Sequence, residues 1–222
     1  MHKERNFILG TAILCTIAML LVDGLLSPPY FLKSIIKMVL YGGCVLLYTT
    51  VYKERPELFH MPKGAWIRTV LLSAGVFLLI VSGYFLTRTF VDYSNITGTL
   101  TSTIGVSKDN FLYVSLYISF VNSLLEEIFF RGYCYLTLRK HMGHGYSFVF
   151  SALLFSFYHV GLLNGWFHIA VYLLMLTGLF LAGLFFNLLD HKADSILPSW
   201  LPHMFANFGI NTVGMLLFGI LY

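Results

Sequence analysis

Apolar stretches repeat along the whole chain and are separated by short polar connections. A transmembrane helix needs about 20 predominantly apolar residues. Seven stretches approach or meet that requirement, and they cover residues 7–26, 35–52, 66–90, 111–138, 146–163, 166–189 and 197–222. The pattern therefore predicts an all-α fold, a polytopic transmembrane bundle of about seven helices.

The connection at residues 91–110 differs from the others because it is long and rich in Ser, Thr and Gly. Such a composition is typical of loops. We therefore predict a flexible loop here, on the outer side of the membrane.

The composition supports a membrane protein. Of the 222 residues, 58% are hydrophobic and 11% are charged, whereas an ordinary soluble domain has about 25% charged residues. No polar block is large enough for a separate globular domain, so we predict a single integral membrane domain over residues 1–222. The net charge of +4 comes from short basic clusters between apolar stretches. Such clusters orient a protein in the lipid bilayer, and no nucleic-acid partner is indicated.

The distribution of Lys and Arg predicts the orientation, because cytoplasmic loops are enriched in them. If the N-terminus is inside, the inner segments hold Lys3, Arg5, Lys53, Arg55, Lys63, Arg68, Arg139, Lys140 and Lys192. The outer segments then hold Lys33, Lys37, Arg88 and Lys108. Nine basic residues against four predict a cytoplasmic N-terminus and a C-terminus outside.

Several polar or reactive residues are predicted to have no catalytic part. Asp23, Asn187 and Asp190 lie near the ends of apolar stretches and are predicted to be interfacial. The cysteines are isolated and odd in number, so they predict neither a disulfide framework nor a zinc site. They are expected to be core or lipid-facing thiols: Cys15, Cys44 and Cys134.

Three charged residues interrupt the apolar stretch at 111–138: Glu126, Glu127 and Arg131. A charged side chain at the centre of a membrane helix costs roughly 2.5 to 3.5 kcal/mol on insertion scales, so such residues usually serve a function. Because positions four apart share a helix face, Glu127 and Arg131 are predicted to pair. Glu126 points about 100° away and is left to act on a water or a metal ion. A purely structural salt-bridge cluster is the alternative.

Polar residues on two other predicted helices extend this group. His159 follows Phe155 by four residues and shares its helix face, and His203 and Asn207 form another pair with the same spacing. An imidazole and a carboxamide can both donate hydrogen bonds to a developing oxyanion. Each of these residues taken alone is equally compatible with a buried histidine or a hydrogen bond between helices.

Three motifs occur in this order on predicted helices: Glu126-Glu127-x-x-x-Arg131, Phe155-x-x-x-His159 and His203-x-x-x-Asn207. In this combination the chain resembles the CPBP or Abi family, which comprises type II CAAX prenyl proteases and bacteriocin-processing or immunity proteins. The resemblance covers roughly residues 115–211. It implies an intramembrane endopeptidase whose catalytic core spans roughly residues 111–222.

The resemblance also implies roles for individual residues. Glu126 and His159 would position and activate a water for attack on the peptide carbonyl, and His203 and Asn207 would stabilise the oxyanion. The supporting residues would orient and pack this site: Glu127, Arg131 and Phe155.

A catalytic metal is the open question. Glu126, His159 and His203 could supply three ligands to a divalent ion such as zinc and leave the fourth position open. Glu127 would then be the general base. The chain lacks a His-Glu-x-x-His helix, in which ligands and base are already correctly spaced. Activation of water by Glu126 and His159 needs no metal, and we favour it.

The expected substrate is a peptide or protein tail with a membrane-associated segment, cut near the cytoplasmic face. The compact chain favours a bacterial cell membrane, and hence bacteriocin or pheromone precursors over CAAX proteins. Two other functions stay open. One is a bacteriocin self-immunity protein without catalysis; the other is a small transporter or proton pathway, although matching pairs of broken helices are missing from the sequence.

Overall fold

The structure, a computed structural model, describes residues 2–54 and 58–221. In chain order the helices are α1 (His2–Leu26), α2 (Tyr30–Tyr52), α3 (Ala65–Thr87), α4 (Ser94–Ile104), α5 (Phe111–Met142), α6 (His144–Leu162), α7 (Ile169–Ala193) and α8 (Leu197–Leu217). The described ranges contain no β-strand. Arg55, counted above as an inner charge, and Tyr222, the end of the last predicted stretch, lie outside the described residues.

The apolar stretches all form helices, as predicted, and the all-α polytopic bundle is confirmed. Six helices in the described part of the chain are long and apolar enough to cross a membrane, namely α1, α2, α3, α5, α6 and α7. The seventh predicted stretch forms α8, which has 21 residues but is not among the six. Polar residues interrupt its apolar sequence, among them His203, Asn207 and Asn211.

The connection at 91–110 is not the predicted flexible loop, because it contains the helix α4. The Ser94 amide donates a hydrogen bond to the Asp92 carboxylate at 2.8 Å, just before the first turn. Hydrogen bonding from Ser94 also holds the pKa of Asp92 below its usual value. The helix ends at Gly105, whose φ of 70° suits a glycine C-terminal stop. These local end contacts, together with burial of Ile96 and Val106, stabilise a helix in so polar a sequence.

Helix α5 changes its geometry at the charged residues. From Glu127 to Thr137 it is a π-helix, in which the Thr137 hydroxyl donates to the Gly132 carbonyl at 2.8 Å. The Leu138 amide likewise donates to the carbonyl of Tyr133, five residues earlier, at 3.3 Å. π-Helical turns are rare and often occur at functional sites. The wider turn begins immediately after Glu126, and another π-helical turn, Ile118–Asn122, lies earlier in the same helix.

Small residues bring α6 close to its neighbours. A β-carbon at Gly161 of α6 would lie 2.7 Å from the Leu20 carbonyl oxygen of α1, and one at Gly183 of α7 would lie 2.9 Å from Ala152 of α6. Glycine and alanine allow membrane helices to approach this closely. The helix that carries His159 is therefore held between α1 and α7.

Helix α8 runs antiparallel to α5. The Trp200 indole donates to the Ser123 hydroxyl at 3.0 Å, and the Asn211 amide donates to the Ser115 carbonyl at 3.1 Å. Residues later in α8 thus contact residues earlier in α5. This register places His203 opposite the two adjacent glutamates.

An aromatic core surrounds the centre of α5. The rings of Tyr41 and Phe129 stack with centroids 4.0 Å apart, and Phe130 meets Phe155 edge-on at 5.4 Å. The cysteines are buried free thiols in this part of the protein, as expected: Cys15, Cys44 and Cys134. Large apolar side chains on the outer faces of the helices are exposed, which suits contact with lipid.

Candidate active site

His203 bridges the two adjacent glutamates of α5. Its Nδ1 lies 2.7 Å from Glu127 Oε1, and its Nε2 lies 3.6 Å from Glu126 Oε2. Exposure is 2% for Glu126, 0% for Glu127 and 7% for His203. The first and third motifs therefore meet inside the bundle, away from bulk water.

The other oxygen of Glu126 is bound by Lys37 from α2. The Lys37 ammonium donates hydrogen bonds to Glu126 Oε1, to Asn122 Oδ1 at 2.7 Å and to the Tyr158 hydroxyl at 2.9 Å. The Asn122 amide also donates to Glu126 Oε1, at 3.0 Å. All three hydrogens of the ammonium thus have acceptors. Glu126 Oε2 is left facing His203.

This contact corrects two predictions. Glu126 was expected to have no ionic partner, and Lys37 was counted as a charge of an outer segment, but Lys37 is 1% exposed and pairs with Glu126. Lys33 is also internal, because it pairs with Asp23 at 2.7 Å. Asp23, predicted to be interfacial, is 9% exposed. The available signal was the position of Lys37 inside the predicted apolar stretch 35–52.

Glu127 and Arg131 lie close together, as their spacing predicts, with Nη1 3.4 Å from Oε1. The guanidinium makes no hydrogen bond within the described ranges. It lies instead over the rings of Phe155 and Phe186, at 4.1 Å and 5.0 Å from their centroids. Such cation–π contacts stabilise a buried cation. Phe155 therefore supports Arg131 as well as the histidine of its own motif.

Ser199 joins Glu127 to a third buried carboxyl group. Its hydroxyl oxygen lies 2.6 Å from Glu127 Oε2 and 2.7 Å from Asp190 Oδ2, and its amide donates to Asp190 Oδ1 at 3.0 Å. A hydroxyl has a single hydrogen and cannot donate to both carboxylates. One of the two carboxyl groups must therefore carry a proton and donate in return.

Asp190 and Asn187, predicted to be interfacial, both have 0% exposure and lie inside the protein. The Asn187 amide donates to the Phe148 carbonyl at 2.8 Å. Sequence reasoning also missed Ser199, since neither its spacing nor its chemistry within α8 distinguishes it.

The charges of the buried cluster balance only with that extra proton. Two cations, Lys37 and Arg131, face three carboxyl groups, those of Glu126, Glu127 and Asp190. If one carboxyl group is protonated, the cluster is neutral with uncharged histidines. Neutrality matters because uncompensated charge is costly inside a membrane protein.

His159 lies beside this cluster. Its Nδ1 is 2.7 Å from the Phe155 carbonyl oxygen, so Nδ1 carries the hydrogen and Nε2 is free to accept one. The imidazole packs edge-on against Tyr158, with ring centroids 4.6 Å apart. Because Tyr158 also accepts from Lys37, His159 adjoins the Lys37–Glu126 pair.

Asn207 continues the polar face of α8 beyond His203. Its amide donates to the Ile118 carbonyl of α5 at 3.2 Å, which leaves the second amide hydrogen for another acceptor. The His203 ring is fixed by stacking on Phe186, with centroids 5.4 Å apart and an interplanar angle of 22°.

The arrangement does not fit a zinc site. In the part of the chain that the structure describes, no three His, Cys, Asp or Glu side chains are grouped as ligands of one ion. One oxygen of Glu126 is bound by an ammonium. A divalent cation at the same carboxylate would be repelled by Lys37, so no catalytic step is derived through a metal here.

Two surface cavities lie apart from these groups. A surface cavity of about 740 Å³ lies against Val45, Thr49, Lys53 and Ile128, and another of about 380 Å³ lies against Phe77, Phe208 and Asn211. Neither is lined by Glu126, His159 or His203.

Comparison with known proteins adds one match. Residues 108–209 match a family model described as Type II CAAX prenyl endopeptidase Rce1-like. The matched range contains all three motifs. No match was found among curated proteins or among solved structures.

Proposed function

We propose that this chain is an intramembrane endopeptidase of the CPBP/Abi family, because residues 108–209 match a family model of type II CAAX prenyl endopeptidases. The family is a protease family. The observation that supports the proposal in this chain is the pairing of Glu126 Oε2 with His203 Nε2 in a buried site.

The proposed reaction is hydrolysis by an activated water. Glu126 and the unprotonated Nε2 of His159 would hold this water and take its proton as the oxygen attacks the peptide carbonyl carbon. The proton would then pass to the leaving amine as the carbon–nitrogen bond breaks. The products are a new carboxylate and a new amine terminus, so protons balance without a further reactant.

His203 and Asn207 are proposed to stabilise the oxyanion. His203 lies between two carboxylates, with Nδ1 2.7 Å from Glu127 Oε1 and Nε2 3.6 Å from Glu126 Oε2. Its Nε2 hydrogen and the second amide hydrogen of Asn207 can both point to developing negative charge. Glu127 would orient the imidazole through the 2.7 Å contact with Nδ1.

The proposed substrate is a peptide or protein tail with a membrane-associated segment. Glu126 and His159 lie in helices that are long and apolar enough to span the membrane, and the basic residues favour access near the cytoplasmic face. A bacterial cell membrane, and precursors such as bacteriocins or pheromones, remain part of this proposal.

The decisive test is substitution of the proposed base. We expect Glu126→Gln to reduce cleavage by about a hundredfold or more, since general-base catalysis contributes about 10² to 10⁴. Peptides released from cells that produce either form would be compared by mass spectrometry. A fluorogenic farnesylated CAAX peptide and its unprenylated copy would be tested with purified protein in liposomes.

Asp109→Asn is the matched control, because it removes an exposed carboxylate outside the site. It should cleave as the unsubstituted protein does. Retained cleavage in both Glu126→Gln and His159→Ala would reject the proposed catalytic site, and no cleavage by the unsubstituted protein would reject the peptidase. Altered ion flux in liposomes without altered cleavage would favour the transporter instead.

A further inference from the structure

Lys37 occupies an unusual position for a lysine. It lies within the membrane-spanning helix α2, is 1% exposed, and its ammonium contacts side chains from both α5 and α6. A lysine inside a membrane helix is costly and normally serves a function. The proposed reaction as described above assigns it none.

All three hydrogen bonds of the Lys37 ammonium help to fix the Glu126 carboxylate. Asn122 and Tyr158 accept two of its hydrogens, and Asn122 donates its own amide hydrogen to the same Glu126 oxygen. The ammonium is therefore fixed by two neighbours before it meets the carboxylate. This contact geometry restrains Glu126 Oε1 and directs Oε2 towards His203.

Lys33 provides a comparison within the same helix. It lies four residues before Lys37 and forms a buried pair with Asp23 at 2.7 Å. Neither Lys33 nor Asp23 contacts a residue of the three motifs among the described hydrogen bonds and ion pairs. The two lysines thus share a helix, burial and an acidic partner, but only Lys37 reaches the candidate site.

We propose that Lys37 is a positioning residue of the peptidase site, which keeps Glu126 ionised and oriented for water activation. The inference rests on the proposed function, in which Glu126 is the base. Lys37 acts through Glu126 and does not touch the substrate.

Kinetics of Lys37→Met and Lys33→Met test the role. Both variants remove a buried ammonium and keep a similar side-chain volume. With the farnesylated CAAX peptide in liposomes, we expect Lys37→Met to lower kcat by about a hundredfold with KM little changed. Lys33→Met should keep kcat near the unsubstituted value. Equal kcat in the two variants would overturn the proposal.

A second variant covers the case in which Lys37→Met does not accumulate. Lys37→Gln keeps a hydrogen-bond donor towards Glu126 and removes only the charge. The same loss of kcat would support the role of the charge, and an unchanged kcat would overturn it.

Thermal unfolding in detergent supplies a measurement that needs no substrate. Glu126→Gln leaves the Lys37 ammonium without its anion, so it should lower the unfolding temperature, and adding Lys37→Met should recover part of that loss. Additive effects would overturn the proposed coupling. If Lys37→Met behaves as expected in unfolding but Glu126→Gln still cleaves peptide, the proposed function fails rather than the pairing.

Discussion

At the scale of single residues, the site depends on protons as much as on charges. Ser199 has one hydroxyl hydrogen but lies within 2.7 Å of oxygens from both Glu127 and Asp190. The additional proton that this geometry requires also neutralises the buried cluster of two cations and three carboxyl groups, namely Lys37, Arg131, Glu126, Glu127 and Asp190. Glu127 can then support His203 without adding net charge to the membrane interior.

That proton should be visible by infrared spectroscopy. At neutral pH we expect a carbonyl stretch of a protonated carboxylic acid, and Asp190→Asn should remove it because an amide can donate to Ser199 in its place. Asp194→Asn, which alters an exposed acid at the end of α7, is the control and should keep the band. Absence of the band in the unsubstituted protein would contradict the shared proton.

Metal removal is a second test at this scale. Since Lys37 already neutralises Glu126, we expect cleavage to continue after prolonged treatment with a chelator. Elemental analysis of protein purified without added metal would be measured beside activity. Stoichiometric zinc together with chelator-sensitive cleavage would show that the metal alternative is correct.

At the scale of helices, close backbone packing places His159. Gly161 follows it by two residues and faces α1 with no room for a side chain, since a β-carbon there would be 2.7 Å from the Leu20 carbonyl oxygen. Backbone atoms cannot move aside as the end of a side chain can. The position of His159 relative to Glu126 therefore depends on this contact.

We expect Gly161→Ala to destabilise the protein by about 1 to 3 kcal/mol, the usual cost of overpacking. It should also reduce cleavage, because α6 must shift. Gly178→Ala is the matched control, since a β-carbon there meets nothing within 4 Å. Alanine favours a helix over glycine by up to about 1 kcal/mol, so that variant should be neutral or slightly more stable. Equal unfolding temperatures for the two variants would contradict the contact.

At the scale of the whole molecule, α8 decides whether the two termini lie on the same side or on opposite sides of the membrane. Lys33 and Lys37 are internal, which leaves Arg88 and Lys108 as the outer basic residues and strengthens the predicted excess inside. The cytoplasmic N-terminus remains a prediction, as does the single domain over residues 1–222. Helix α8 is less apolar than the six spanning helices, but its antiparallel contacts with α5 run along its length.

If α8 crosses the membrane with the others, the two termini lie on opposite sides. We expect a periplasmic phosphatase fused to the C-terminus to be active in bacterial cells, and a fusion to the N-terminus to be inactive. A phosphatase that is active at both termini, or inactive at both, would contradict seven crossings.

The sequence by itself determined the helices and the resemblance to the family. Helix formation in a membrane depends on local apolar length, so all seven stretches were correctly predicted to be helices, and six of them are long and apolar enough to span the membrane. The spacing within α5 and α8 also brought the right residues onto shared faces, and the three motifs sufficed for the resemblance. Helix α4 was missed because its end contacts depend on backbone geometry that composition does not describe.

Only the tertiary structure decided the partners of these residues. Which side chains meet across helices depends on register and close packing, and neither can be read from one helix alone. From the sequence alone, Lys37 is counted as an outer charge and Asp190 is predicted to be interfacial. In the structure, Lys37 of α2 pairs with Glu126 of α5, and Asp190 of α7 contacts Ser199 of α8. Glu126, which the helical spacing leaves without a partner, is one carboxylate of a neutral, hydrogen-bonded cluster in the structure.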